Sequence, residues 1–150
     1  MFDLDKLYQA VKNAVAAFAA DHDDETFNAF AIDADMLCLN SEQVVTSTLA
    51  EYQTRWPDCY SDPAEIEDLK YNTGDWIYQG FFDRDDTHGF DRDAYNLHYA
   101  EAGSSADGTA PHSRYAKAMN TLIARLKRSD VFACMEKSQD FRIVWVEHTY

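Results

Sequence analysis

The sequence predicts an α+β fold: a single domain over residues 1–150, with a small, mainly antiparallel sheet covered by helices. Three observations carry that expectation. Apolar residues recur at three-and-four spacing in the opening segment, a hairpin pattern follows directly, and an unbroken β-branched and aromatic run stands near the end. At 150 residues and 46% hydrophobic, the chain suffices for one core and is short for two.

Leu4, Leu7, Tyr8, Val11, Val15 and Phe18 mark one face of a first helix, which the charged stretch DHDDE (21–25) ends. His22, among those acids, reads as a helix-end residue in preference to a metal ligand. TFNAFAID (26–33) and MLCLN (36–40) read as strands around the turn Asp33-Ala34-Asp35. Asn40 or Ser41 caps the next helix, and Asn40 with Gln43 has capping-box spacing. That helix reaches Arg55 and is expected to bury Val45, Leu49, Tyr52 and Trp56 before Pro57 stops it.

Ser61 or Asp62, with Pro63 in the first turn, opens a further helix, and Gly74 ends the run. The aromatic stretch GDWIYQGFF (74–82) fits strand or helix equally well. Asp91 to Ala102 reads as a helix with Gly103 at its C-terminal end, and GSSADGTAP (103–111) as a flexible loop. Tyr115, Met119, Leu122, Ile123 and Leu126 mark a helix that finishes in the basic turn RLKR (125–128). Ile143 to Val146 reads as a strand buried on both faces, and Trp56, Trp76 and Trp145 as core.

Charge narrows the function classes. Lys and Arg total 13 against 27 Asp and Glu, a net charge of -14. Such a chain repels phosphate backbones, so nucleic acid is an unsuitable partner, whereas a basic protein is drawn in. Asp3 and Asp5 stand where a signal peptide needs positive charge, and no apolar run is long enough for a membrane helix. Cys38, Cys59 and Cys134 show no CxxC spacing, which points to reduced thiols and a cytoplasmic location.

FFDRDDTHGFDRD (81–93) is the densest candidate site. As a calcium loop starting at Asp83 it fails, because Thr87, His88 and Ala94 occupy positions that need an acid, a glycine and a glutamate. The histidines His22, His88, His98, His112 and His148 form no HxxxH or HxH pair, although His88 with Asp83, Asp86 and Asp91 could assemble a carboxylate-rich site. GxSxG, GxGxxG and P-loop motifs are absent, so no catalytic residue, metal or cofactor is assigned, and the chain is not expected to be an enzyme. What remains is an acidic surface interleaved with aromatics: Asp83, Asp85, Asp86, Asp91 and Asp93 first, then Glu65, Glu67 and Asp68, with Trp76 and Tyr78 beside them. Rings that anchor and charges that steer are the composition of a protein-binding patch.

LKYNTGDWIYQG (69–80), with Tyr71, Asp75, Trp76 and Tyr78, and FDRDAYNL (90–97), with Asn96, resemble a bacterial family known as domain of unknown function 4303. The likeness covers nearly the whole chain. It implies an immunity protein that binds a cognate, basic toxin domain and occludes its active site, the toxin being delivered by contact-dependent or type VI secretion, Rhs-type toxins among them. The alternative is a metal-dependent hydrolase, or an enzyme reversing the toxin's modification, built on His88 and the nearby aspartates.

Overall fold

The computed structural model describes residues 1–83 and 88–146, with the backbone alone over 81–83. The expected three-and-four face forms α1 (Leu4–Asp21), with Leu7, Val11 and Val15 fully buried and Asp3 capping its start by accepting from the Lys6 amide at 3.1 Å. Asp3 also donates its own amide to the Gly89 carbonyl at 2.8 Å. Gly89 has φ +85, and a Cβ there would lie 2.5 Å from the Asp3 carbonyl oxygen, so only glycine lets the two segments meet.

β1 (Thr26–Asp33) and β2 (Met36–Ser41) form the expected hairpin. Its two-residue link lacks the usual Asn-Gly or Asp-Gly chemistry, and Ala34 takes φ 55. Tertiary contacts hold it there: the Tyr115 hydroxyl donates to the Ala34 carbonyl at 3.0 Å, and Arg92 pairs with Asp35 at 2.7 Å. A bulge between Phe27 and Ala29 breaks the alternation of β1, so that Phe27 and Phe30 share one core.

The sheet runs in the order β3 (Tyr78–Asp83), β2, β1, β4 (Glu136–Val146). β1 pairs antiparallel with β2, and β2 with β3, while β4 lies parallel to β1; the sheet is mixed and mainly antiparallel. The stretch 74–82 therefore divides into a 3₁₀ turn at Thr73–Asp75 and then strand.

One sheet face is built from large residues, Phe30, Ile32, Leu37 and Leu39, packed in a single cluster with α1 and with Met119, Leu122 and Leu126 of α5 (Arg114–Lys127). Hydrophobic burial on this face is the main stabilising term. The opposite face carries small residues, Ala29, Ala31 and Cys38, over which Trp76 packs at 4% exposure. Burial there pushes the Cys38 thiol up to about 11.

α2 (Glu42–Arg55), α3 (Pro63–Tyr71) and α4 (Arg92–Ser104) complete the α+β fold. Ser41, not Asn40, caps α2: its hydroxyl accepts from the Val44 amide at 3.1 Å, while Asn40 donates to the Lys70 carbonyl and Gln43 accepts from the Thr26 amide. The capping-box expectation fails because both of its side chains have longer-range partners. α4 extends through Gly103 to Ser104, and the loop after it is stitched by Thr109, whose amide donates to Asp107 at 3.1 Å and to the Ser105 hydroxyl at 3.0 Å.

Two core expectations are corrected. β4 is an edge strand, half-buried over 143–146, and Trp145 reaches Asn120 with its indole N–H at 2.8 Å. Its apolar run reflects helices on one face and Tyr71 and Trp76 near the other, without full enclosure. Trp56 is 45% exposed, because α2 ends as it leaves the sheet and places that ring beyond the last packed turn; Leu49 and Tyr52 are half-buried.

Candidate functional site

The acidic residues singled out from sequence do not converge on one place. Asp85 and Asp86 lie outside the described residues, as does the side chain of Asp83, whose backbone pairs with Met36. Asp91 is occupied. It caps α4 by accepting from the Ala94 amide at 3.0 Å and meets the Met1 ammonium at 2.8 Å and Arg114 at 3.6 Å. The hydrogen bond from that ammonium, with the Ala94 amide, holds the Asp91 carboxyl below its ordinary range. Asp93 is exposed in the first turn of α4. Among the described residues no cluster of His, Cys, Asp or Glu could hold a metal ion; of the His88 grouping, Asp86 and the Asp83 side chain are not described.

The two aromatic anchors are committed to the fold. Trp76 is buried, and its indole N–H donates to the Lys70 carbonyl at 3.1 Å, so it is not a surface anchor. Tyr78 is half-buried and donates to Glu25 at 2.6 Å; Ser41 donates to the other oxygen of that carboxylate, also at 2.6 Å. Burial, then the Glu25 hydrogen bond, pushes the Tyr78 hydroxyl up to about 12. Phe90 is likewise core, at the edge of the α1–α5 cluster.

Glu65 and Asp68 remain, and these the fold does bring together. They line a 490 Å³ cleft with Trp56, Cys59, Tyr60, Leu69, Asn72 and Asp75. The cleft lies where α2 ends and α3 begins. Pro57 terminates α2, and Asp62 with Pro63 starts α3, its carboxylate accepting from the Ala64 amide at 2.9 Å. The short connection between those stops is where Trp56 and Tyr60 are displayed.

Tyr60 sits at φ 61, a left-handed conformation that costs a non-glycine residue about 1–2 kcal/mol. Two side chains hold it. Its amide donates to Glu65 at 2.5 Å, and its carbonyl accepts from Gln53 at 3.0 Å. The ring is thereby set 5.3 Å from Tyr52, which also meets Trp56 at 5.4 Å. The Tyr52 hydroxyl donates to Asp75 at 3.1 Å, and Asn72 donates to its other oxygen at 3.0 Å. Burial, then the hydrogen bond to Asp75, raises the Tyr52 pKa. Asp68 is exposed, and its carboxylate has no hydrogen-bond or ion-pair partner among the described residues. Among the described residues, the charged side chains lining the cleft are all carboxylates.

Glu67 lies elsewhere. It projects from the opposite side of α3 and meets Arg142 of β4 at 3.3 Å. Trp56, Tyr60 and Asp75 were missed as site residues. The available signal was WPDCYSDP (56–63): two helix stops this close force the rings between them into a solvent-facing turn.

The model of one family, a domain of unknown function (DUF4303), matches residues 7–150. The chain belongs to that family. Neither a curated protein nor a solved structure matches it. Family membership covers the elements that build the cleft, α2, α3 and the 3₁₀ turn, and assigns no activity to them. Among the described residues no helix is long and apolar enough to cross a membrane.

Proposed function

We propose that this protein is a cytoplasmic immunity protein that binds a cognate antibacterial toxin domain and occludes its active site. One observation carries the reading: an open cleft whose charged lining, among the described residues, is entirely carboxylate, beside a tryptophan left 45% exposed, on a chain of net charge -14. Exposed Trp and Tyr supply contact area at little entropic cost, and a field of one sign accelerates encounter with an oppositely charged protein. The partner this fits is a basic toxin domain. Nucleic acid does not fit, since the same carboxylates repel phosphate.

The inhibitory mechanism is occlusion with charge complementarity. Toxins acting on anionic substrates carry basic active sites, and an acidic surface occupies such a site in place of the substrate. No catalytic or cofactor role is assigned to any residue in this reading.

The test is capture of the tagged protein's partner from its native cells at low and moderate salt. One near-stoichiometric basic partner with a toxin-like domain is expected, and its activity should vanish on adding one equivalent of this protein. Protection from the toxin with no stable complex would overturn the reading and favour an enzyme that reverses the toxin's effect.

A further inference from the structure

We infer that the cleft between α2 and α3 is a receptor for one arginine side chain, presented by a basic partner protein and gripped between the Trp56 and Tyr60 rings and the Asp68 and Glu65 carboxylates. This deepens the immunity reading, on which the partner's identity rests; the chemistry of the cleft stands on its own residues.

Asp68 is a carboxylate without a partner among the described residues, and Glu65 uses one oxygen on the Tyr60 amide and leaves the other side of its acceptor capacity open. Among the described residues, no lysine or arginine lines the cleft to answer them. Leu69, 3% exposed, forms an apolar floor between aromatic walls, a surface suited to a flat, weakly hydrated cation. A guanidinium is that cation, since it stacks on rings while its N–H fork meets carboxylates, whereas an ammonium is compact and strongly hydrated.

The far side of the same helix holds a precedent. There, Arg142 of β4 stacks on Tyr71 at 3.5 Å from the ring centroid and reaches Glu67 at 3.3 Å. α3 already holds one arginine between a tyrosine and a glutamate supplied from a neighbouring strand. On the cleft side, Arg55 lies over the Trp56 ring at 5.4 Å but pairs with Glu51 at 2.8 Å, and among the described residues no arginine meets the Asp68 or Glu65 carboxylate. The strained Tyr60 backbone, held by Glu65 and Gln53, keeps the wall standing before any ligand arrives, so less ordering is needed on binding.

The experiment titrates N-acetyl-arginine amide into the isotopically labelled full chain, followed by nuclear magnetic resonance. N-acetyl-lysine amide and the uncharged N-acetyl-citrulline amide serve as comparisons. Saturable shifts of the Trp56 indole and the Tyr60 amide are expected with arginine, several-fold weaker binding with lysine, and none with citrulline. Asp68→Asn is expected to weaken arginine binding about fivefold, an exposed charge pair's contribution. Trp56→Ala should remove the saturable response at Tyr60, and both changes lie on exposed side chains that leave the fold intact.

Equal shifts with lysine, persistent shifts with citrulline, or arginine shifts unaltered by Asp68→Asn would each overturn the assignment. Its failure is separable from that of the immunity reading. A captured toxin that binds Asp68→Lys as well as the parent chain would remove the cleft and keep the inhibitor. Arginine amide seated in the cleft of a protein that has no toxin partner would do the reverse.

Discussion

On one side of α3, Glu67 and Tyr71 meet Arg142, and Lys70 meets Glu42 at 3.2 Å and Asp140 at 3.0 Å; on the other, Glu65 and Asp68 open onto a cleft that no basic residue lines among the described ones. Both sides use tyrosines and carboxylates, and helical spacing separates them: 67, 70 and 71 fall together, as do 65, 68 and 72. The paired side faces β4 and fastens the helix to the sheet. Its centre is Asp140, which accepts from Tyr71 at 2.7 Å, Ser138 at 2.8 Å and Lys70 at 3.0 Å, and these bonds hold its carboxyl far below the usual range. Burial works against the Lys70 ammonium, yet its bonds to Asp140 and Glu42 outweigh that and raise its pKa. Charges satisfied inside the fold do structural service, and charges left unsatisfied at a cleft are available to a partner.

The largest effect is expected at the residue beneath both sides of α3. Trp76→Ala removes the ring that covers the small-residue sheet face and the bond to the Lys70 carbonyl, from which both sides hang. Urea unfolding is expected to show a loss of about 3–5 kcal/mol.

Thiol chemistry separates the cleft from the core. In the native protein, Cys59 and Cys134 are exposed and should react with a maleimide, while Cys38, buried beneath Trp76, stays unmodified until unfolding. A bulky adduct at Cys59 in a Cys134→Ser background is expected to weaken partner binding by at least about tenfold, one binding decade being about 1.4 kcal/mol. Calorimetry with the captured partner checks this.

A smaller effect belongs to the paired side. Tyr71→Phe deletes one hydrogen bond to Asp140 and is expected to cost about 0.5–1 kcal/mol in urea, with partner affinity unchanged. Asp140 is depressed in the folded state, so its contribution is complete above the unfolded carboxyl pKa of about 3.9 and fades as pH falls toward the folded value. Acid unfolding monitored by circular dichroism should therefore show a shallower loss of stability below about pH 4 for Asp140→Asn than for the parent chain.

The smallest stability effect is expected where the functional effect is sought. Asp68→Asn should alter unfolding free energy by less than about 0.5 kcal/mol, because its carboxylate has no bonding partner among the described residues. A clear destabilisation in the same urea titration would move Asp68 to the structural side of α3.

Local signals were legible where local physics decides. The α1 face, the β1–β2 strands, the Pro63 start of α3 and the α5 stripe all follow from periodicity, caps and proline, and each stands where expected. Trp56 misled because spacing along a helix says nothing about whether the neighbouring layer extends that far. Trp145 and the β4 run misled because an apolar strand reads the same at a sheet edge as at its centre. Of the candidate site, Glu65 and Asp68 were found by acidity alone, while Tyr60 required the Glu65 and Gln53 bonds that turn it into the cleft.

By itself, then, the sequence determined the class of the fold, its helices and hairpin, and the sign of its electrostatic field, because propensity, periodicity and net charge are sums over near neighbours. Only the tertiary structure decided which acids are spent and which are spare. Glu67 and Asp68 are adjacent in the chain and alike in composition, and they differ because α3 turns one toward Arg142 of β4 and the other toward solvent. That orientation is set by packing of α3 and Trp76 on a sheet whose strands come from distant parts of the chain, a long-range relation that no local pattern encodes.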